Sequence, residues 1–81
     1  MISVVVPVYN EEANVAELAE RVSAALVPRE FELVVVDDGS RDGTAEALAG
    51  LAATRPWLRP LYLIRNYGQS AALQAGFDAA K

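Results

Sequence analysis

Two short segments hold most of the groups that could bind or act on a ligand: Tyr9-Asn10-Glu11-Glu12 and Asp37-Asp38-Gly39-Ser40. Tyr9 offers a flat ring on which a nucleobase can stack, a contact worth roughly 1–3 kcal/mol that tolerates any base. The same ring can equally cap the core of a sheet. An ionised Asp37 or Asp38 can accept from a base N–H or a ribose hydroxyl, and such charge-assisted bonds contribute about 1.5–3 kcal/mol. Neighbouring strand residues point to opposite faces, so one member of the pair is expected to face a ligand. Read alone, Asp38-Gly39-Ser40 is just as well a turn and helix cap. A diphosphate near these carboxylates would be repelled unless a divalent cation lay between, and no pair here has D-x-D spacing. The absence of cysteine and histidine excludes disulfides, thiolate or imidazole metal sites, Cys nucleophiles and Ser-His pairs. Chemistry is left to carboxylates, amides and hydroxyls.

Each segment follows an apolar run rich in β-branched residues. Ile2 to Val6 ends at Pro7, and Leu33 to Val36 ends at Asp37; both read as strands buried on both faces. A third run, Leu61 to Ile64, follows Pro60 and is bracketed by Arg59 and Arg65, which suits a strand near a sheet edge. Between the first two, Val15, Leu18, Ala19, Val22 and Leu26 form one apolar stripe on a helix that Pro28 ends, with Asn14 and Glu17 spaced as a capping box. A second helix carries Ala45, Leu48, Leu51 and Ala52 on one face, with Asp42 or Ser40 as N-cap and Pro56 as its stop. Trp57 is expected to pack under the loop that follows. Gln69 to Lys81 reads as a third helix with Leu73, Phe77 and Ala80 on one face and Gly68 freeing the backbone before it. The helices are expected near residues 12–27, 43–54 and 69–80.

The alternation is that of βαβ units. Right-handed crossovers that move the same way put the first two helices on one face and give parallel strands in the order 3-2-1. The third helix then belongs on the opposite face, and the first strand keeps an unpaired edge. Open α/β sheets bind ligands at the carboxyl ends of their strands, beside such a switch point. The two acidic segments lie there.

Composition sets the outer limits. At 81 residues the chain is one small domain at most, and 53% hydrophobic with 22% charged residues is globular. A net charge of -4 offers no basic surface for nucleic acid or anionic lipid. No apolar run approaches the ~20 residues that span a bilayer, and Met1 leads into Ile-Ser-Val without a signal-peptide pattern, so a cytoplasmic setting is expected.

Three elements together carry a family likeness: Pro7-Val8-Tyr9-Asn10-Glu11 after the first strand; Val34-Val35-Val36-Asp37-Asp38-Gly39-Ser40 with Asp42-Gly43-Thr44; and Arg65-Asn66-Tyr67-Gly68 with Ala71-Ala72 and Gly76. In this order and spacing they resemble family 2 glycosyltransferases over essentially the whole chain. The stretch Asn66 to Ala72 is most similar to polyprenyl-phosphate sugar transferases of the dolichol-phosphate mannose synthase type. The resemblance implies the α/β, three-layer Rossmann-like nucleotide-diphospho-sugar transferase (GT-A) fold. Residues 1–81 would be its N-terminal half, a donor-nucleotide-binding part truncated before the metal motif. It further implies that Pro7, Tyr9 and Glu11 line the nucleotide pocket, and that Asp37 and Asp38 contact base or ribose of a UDP- or GDP-sugar. A Mg2+ or Mn2+ ion, its D-x-D ligands, the acceptor base and any membrane-associated part would belong to later sequence. No catalytic residue or metal ligand is then expected within this chain. The implied acceptor is a hydroxyl or phosphate, polyprenyl phosphate among them, met at the cytoplasmic face of a membrane.

Two other doubly wound classes fit less well. A phosphoreceiver needs an Asp at the end of the third strand, where Leu63-Ile64-Arg65-Asn66 stands. A dinucleotide oxidoreductase needs G-x-G-x-x-G after the first strand, where Pro7-Val8-Tyr9-Asn10-Glu11 stands. A non-catalytic chain that folds or binds nucleotide is compatible with the same residues.

Overall fold

Strand and helix alternate through residues 1–80, which the computed structural model describes: β1 (Ile2–Val8), α1 (Val15–Leu26), β2 (Phe31–Asp37), α2 (Thr44–Ala52), β3 (Leu58–Tyr62) and α3 (Gln69–Ala79). Lys81, the last residue of the expected third helix, lies outside the described residues. The three strands form one parallel sheet with β2 in the centre, β1 running from Ile2↔Phe31 to Val8↔Asp37 and β3 from Leu33↔Leu58 to Asp37↔Tyr62. This is the expected order.

Alternation along β2 splits the core in two. Leu33 and Val35 face α1 and α2, packing with Val8, Val15, Ala19, Leu48 and Leu58. Val34 and Val36 face α3 and pack with Ala72. The two crossover helices therefore share one face and α3 takes the other, as right-handed connections require. Glu32 at the start of β2 is buried and ion-paired to Arg59 of β3 at 3.2 Å, and Arg59 also donates to the carbonyl of Ala79 at the end of α3. A cation there complements the helix dipole.

Several expectations need correction. β1 is not buried on both faces: Ile2 and Ser3 are exposed and Val4 to Pro7 half-buried, because β1 is an edge strand, and it continues through Pro7 to Val8. β3 begins three residues before Leu61 and includes Pro60. Leu63 N donates to Asp37 O, so by the two-residue repeat the Pro60 nitrogen points away from β2, where an edge strand has no bond to lose. Trp57 packs against Phe31 at the start of β2, ring centroids 5.1 Å apart.

On α3 the buried residues are Ala72 and Gly76, while Leu73 is half-buried and Phe77 is 60% exposed. A Cβ at Gly76 would collide with Val5 Cγ1 and lie 3.0 Å from Val36 Cγ2. The helix sits so close to the sheet that only small residues fit between, which turns the bulkier stripe outward. Asn14 does not cap α1 with its side chain, and no capping box forms. Instead Glu11 O accepts from both Asn14 N and Val15 N, Asn14 Nδ2 donates to Glu11 Oε2, and Glu17 pairs with Arg21.

Candidate functional site

The loops after β1 and β2 are stitched together before either meets a ligand. Asn10, in the left-handed conformation at φ 53°, donates from its backbone to Ser40 Oγ at 2.8 Å and accepts from Arg41 N on its own Oδ1 at 2.9 Å. Asparagine tolerates that conformation better than most residues. Glu11 N donates to Thr44 Oγ1 at 3.0 Å, and Glu12 Oε1 accepts from Gly43 N at 3.0 Å. Glu12, at the start of the helix expected near residues 12–27, lies instead in the loop before α1, and its carboxylate holds the start of α2. The N-cap of α2 is Gly43, not Asp42 or Ser40. Asp42 accepts from the backbone and hydroxyl of Thr44 instead, which holds its carboxyl below the usual carboxylate value, and Ser40 serves Asn10.

The adjacent aspartates part company here. Both are 3% exposed. Asp37, on the α1/α2 side by strand alternation, accepts from Ser40 N at 3.0 Å and closes the turn after β2. Burial, and after it the Asp37 carboxylate, raises the Tyr62 hydroxyl above its ordinary value. Asp38, on the α3 side, accepts from Tyr67 N at 2.8 Å on Oδ1 and from Asn66 Nδ2 at 2.9 Å and Gly68 N at 3.0 Å on Oδ2. Gly39 makes that approach possible. Its φ is +71°, and a Cβ there would collide with the Arg65 carbonyl carbon and lie 2.5 Å from Asn66 N.

Above these loops opens a cleft of about 270 Å³ lined by Pro7, Val8, Tyr9, Glu11, Asp38, Asn66, Gly68 and Gln69. Four of the five residues expected at a nucleotide pocket, Pro7, Tyr9, Glu11 and Asp38, thus line one cavity at the carboxyl ends of the strands. Asp37 does not. Tyr9 is 41% exposed, so its ring is open to a stacking partner and is not a core aromatic. Pro7 and Val8 supply apolar wall; Glu11 and Asp38 supply acceptors. Arg65 lies over the Tyr67 ring, 5.0 Å from its centroid, in a cation–π contact at the surface.

Asn66, Gly68 and Gln69 were not among the expected site residues, although the Asn66-Tyr67-Gly68 signal was visible. Nothing in the sequence says that a loop 28 residues downstream bonds the Asp38 carboxylate. Among the described residues no group of three or more Asp and Glu side chains could hold a metal ion. The cation implied by the resemblance finds no ligand set there, and the chemistry argued for this cleft does not pass through one.

Comparison with known proteins bears on the family and the fold. The glycosyl transferase family 2 model matches residues 3–81. An undecaprenyl-phosphate 4-deoxy-4-formamido-L-arabinose transferase of Aeromonas hydrophila is 46% identical over 100% of this chain and 26% of its own length. A dodecaprenyl-phosphate galacturonate synthase of Rhizobium johnstonii is 48% identical over 99% of the chain and 25% of its own length. The chain thus spans about a quarter of these relatives. Among solved structures, the mannosyltransferase PcManGT of Pyrobaculum calidifontis, in complex with GDP-Man and Mn2+, superposes with a TM-score of 0.89 at 32% identity, covering 99% of this chain and 24% of that one. TarS of S. aureus does so at 0.79 and 31%, covering 99% of this chain and 24% of that one. The family model and these relatives cover nearly every residue, and the chain belongs to glycosyl transferase family 2.

Proposed function

We propose that this chain is the donor-nucleotide-binding, N-terminal part of a glycosyltransferase that moves a sugar from a UDP- or GDP-sugar to an acceptor. The observation that carries the reading is the convergence of Pro7, Tyr9, Glu11 and Asp38 on one cleft at the strand ends. On this reading the base stacks on Tyr9 against the apolar wall of Pro7 and Val8. Asp38 accepts one base N–H, and Glu11, its Oε2 steadied by Asn14, accepts from the ribose. Asp37 acts only through the turn it closes. Polyprenyl phosphate is the favoured acceptor class, supported by the names of the relatives from Aeromonas and Rhizobium. Such a reaction belongs at the cytoplasmic face of a membrane; among the described residues no helix is long and apolar enough to cross one. Nothing in the cleft is assigned the role of acceptor base, so the 81 residues by themselves are expected to bind donor without transferring sugar.

Titration calorimetry with UDP and with GDP tests the site. Tyr9→Ala removes the stacking surface and should weaken nucleotide binding by roughly tenfold to a hundredfold. In turnover assays of the complete enzyme the donor KM should rise with kcat nearly unchanged, because stacking on the base is felt equally in ground and transition states. Asp38→Asn replaces an acceptor by an amide that also donates, and should cost more than about 1.5 kcal/mol in binding. Unaltered affinity for both nucleotides in both variants would place the donor elsewhere.

A further inference from the structure

The Asp38 carboxylate has capacity for about four hydrogen bonds. Three are taken, all by the segment Asn66-Tyr67-Gly68. Two of those donors are backbone N–H groups, which no substitution short of proline removes. The third is the Asn66 amide, which also reaches the Asp38 carbonyl at 3.2 Å and so grips both the side chain and the main chain of the same residue. The segment can lie there because Gly39 has no Cβ to hold Arg65 and Asn66 away. Asp38-Gly39 and Asn66-Tyr67-Gly68 are therefore one physical unit built from two distant parts of the chain. Its outcome is a buried carboxylate beside the cleft, held in one orientation with three of its roughly four acceptor positions taken.

We infer that Asn66 is a positioning residue for donor recognition: it fixes the Asp38 carboxylate so that the one remaining acceptor site meets the nucleoside. The inference rests on the reading of the cleft as the donor site. Locking the acceptor in advance removes the rotamer freedom that would otherwise be lost when the nucleotide binds. It also keeps a buried charge satisfied while the cleft is empty, so the carboxylate need not swing toward another donor. Asn66 does not act on the sugar and should leave the chemical step alone.

A double-mutant cycle in the protein as it is expressed separates this from a merely structural role. UDP and GDP affinities are measured for the parent, Asn66→Ala, Asp38→Asn and the double variant, with thermal unfolding to show that each is folded. Asn66→Ala should weaken both nucleotides about tenfold. In the complete enzyme it should raise the donor KM with kcat held. In the Asp38→Asn background the same change should cost less than about twofold, since groups that act as a unit are not additive. Asn66→Ser, which keeps a shorter donor, should fall between parent and alanine and stands in if Asn66→Ala does not fold. If Asp38→Asn weakens nucleotide binding but Asn66→Ala does not, or if the two effects add in full, the positioning role is overturned while the donor site stands. If Asp38→Asn itself leaves both affinities unchanged, the donor reading falls and this inference falls with it.

Discussion

The two faces of the sheet solve the same packing problem by opposite means. Under α1 and α2 the core is filled by bulk: Leu33, Leu48 and Leu58 are fully buried, with Leu18, Val22, Leu51 and Trp57 packed around them. Under α3 it is filled by closeness, Ala72 and Gly76 bringing the helix down onto Val5 and Val36. The difference extends to the rim. Asp37, on the bulky side, closes a local turn; Asp38, on the close side, reaches a loop distant in sequence and helps wall the cleft. The cleft wall formed by Asn66, Gly68 and Gln69 lies near the strand ends, and the small residues on α3 let the helix that follows sit that close.

Substitutions on either face can break or sharpen this contrast. Leu48→Ala empties space on the bulky face and should destabilise by about 2–5 kcal/mol, read from urea unfolding. Gly76→Ala adds a single methyl on the other and should still cost about 1–3 kcal/mol, because Val5 and Val36 must yield. A neutral Gly76→Ala would show that α3 does not seat tightly, and closeness would cease to explain its buried residues. The smallest effect belongs to the stitched loops. Asp42 titrates below its ordinary 3.8 in the folded chain, chiefly through the Thr44 hydroxyl. Its contribution is whole above that ordinary value and is lost as pH falls through the lower, folded one. Thermal unfolding of Asp42→Asn should then lack a small part of the parent's loss of stability at the acid end, small because the group is exposed.

Much of this was legible beforehand because it depends on period and handedness. The β-branched runs before Pro7 and Asp37 marked two strands, and right-handed crossovers fixed the order of all three and the helix faces. β3 was placed too late because proline was taken as a boundary, whereas Pro60 turns its nitrogen away from the only strand β3 pairs with among the described residues. The α3 face was misjudged because apolar bulk usually marks the buried side. Here distance to the sheet decided instead, and distance is a tertiary quantity. At the cleft, residue types showed that one aspartate of the pair would face it, but which one followed only from the strand register. The bonds from Asn66 to Asp38 and from Gly43 to Glu12 join segments that no local pattern connects.

Proline has a second consequence, on the outer edge of β1. Ile2 N donates to Glu30 O, so the even-numbered amides of β1 turn toward β2 and the odd-numbered ones turn outward. Among the described residues no strand meets that outer edge. A run of seven uncharged residues, five of them β-branched valine or isoleucine, is there a template for a further strand. Pro7 occupies one of the outward positions and has no hydrogen to give. A strand laid there finds amide donors at Ser3 and Val5 and none at Pro7, so its hydrogen-bond ladder thins as it nears the cleft. Pro7 thus both walls the cleft and withholds an amide from whatever pairs beside it.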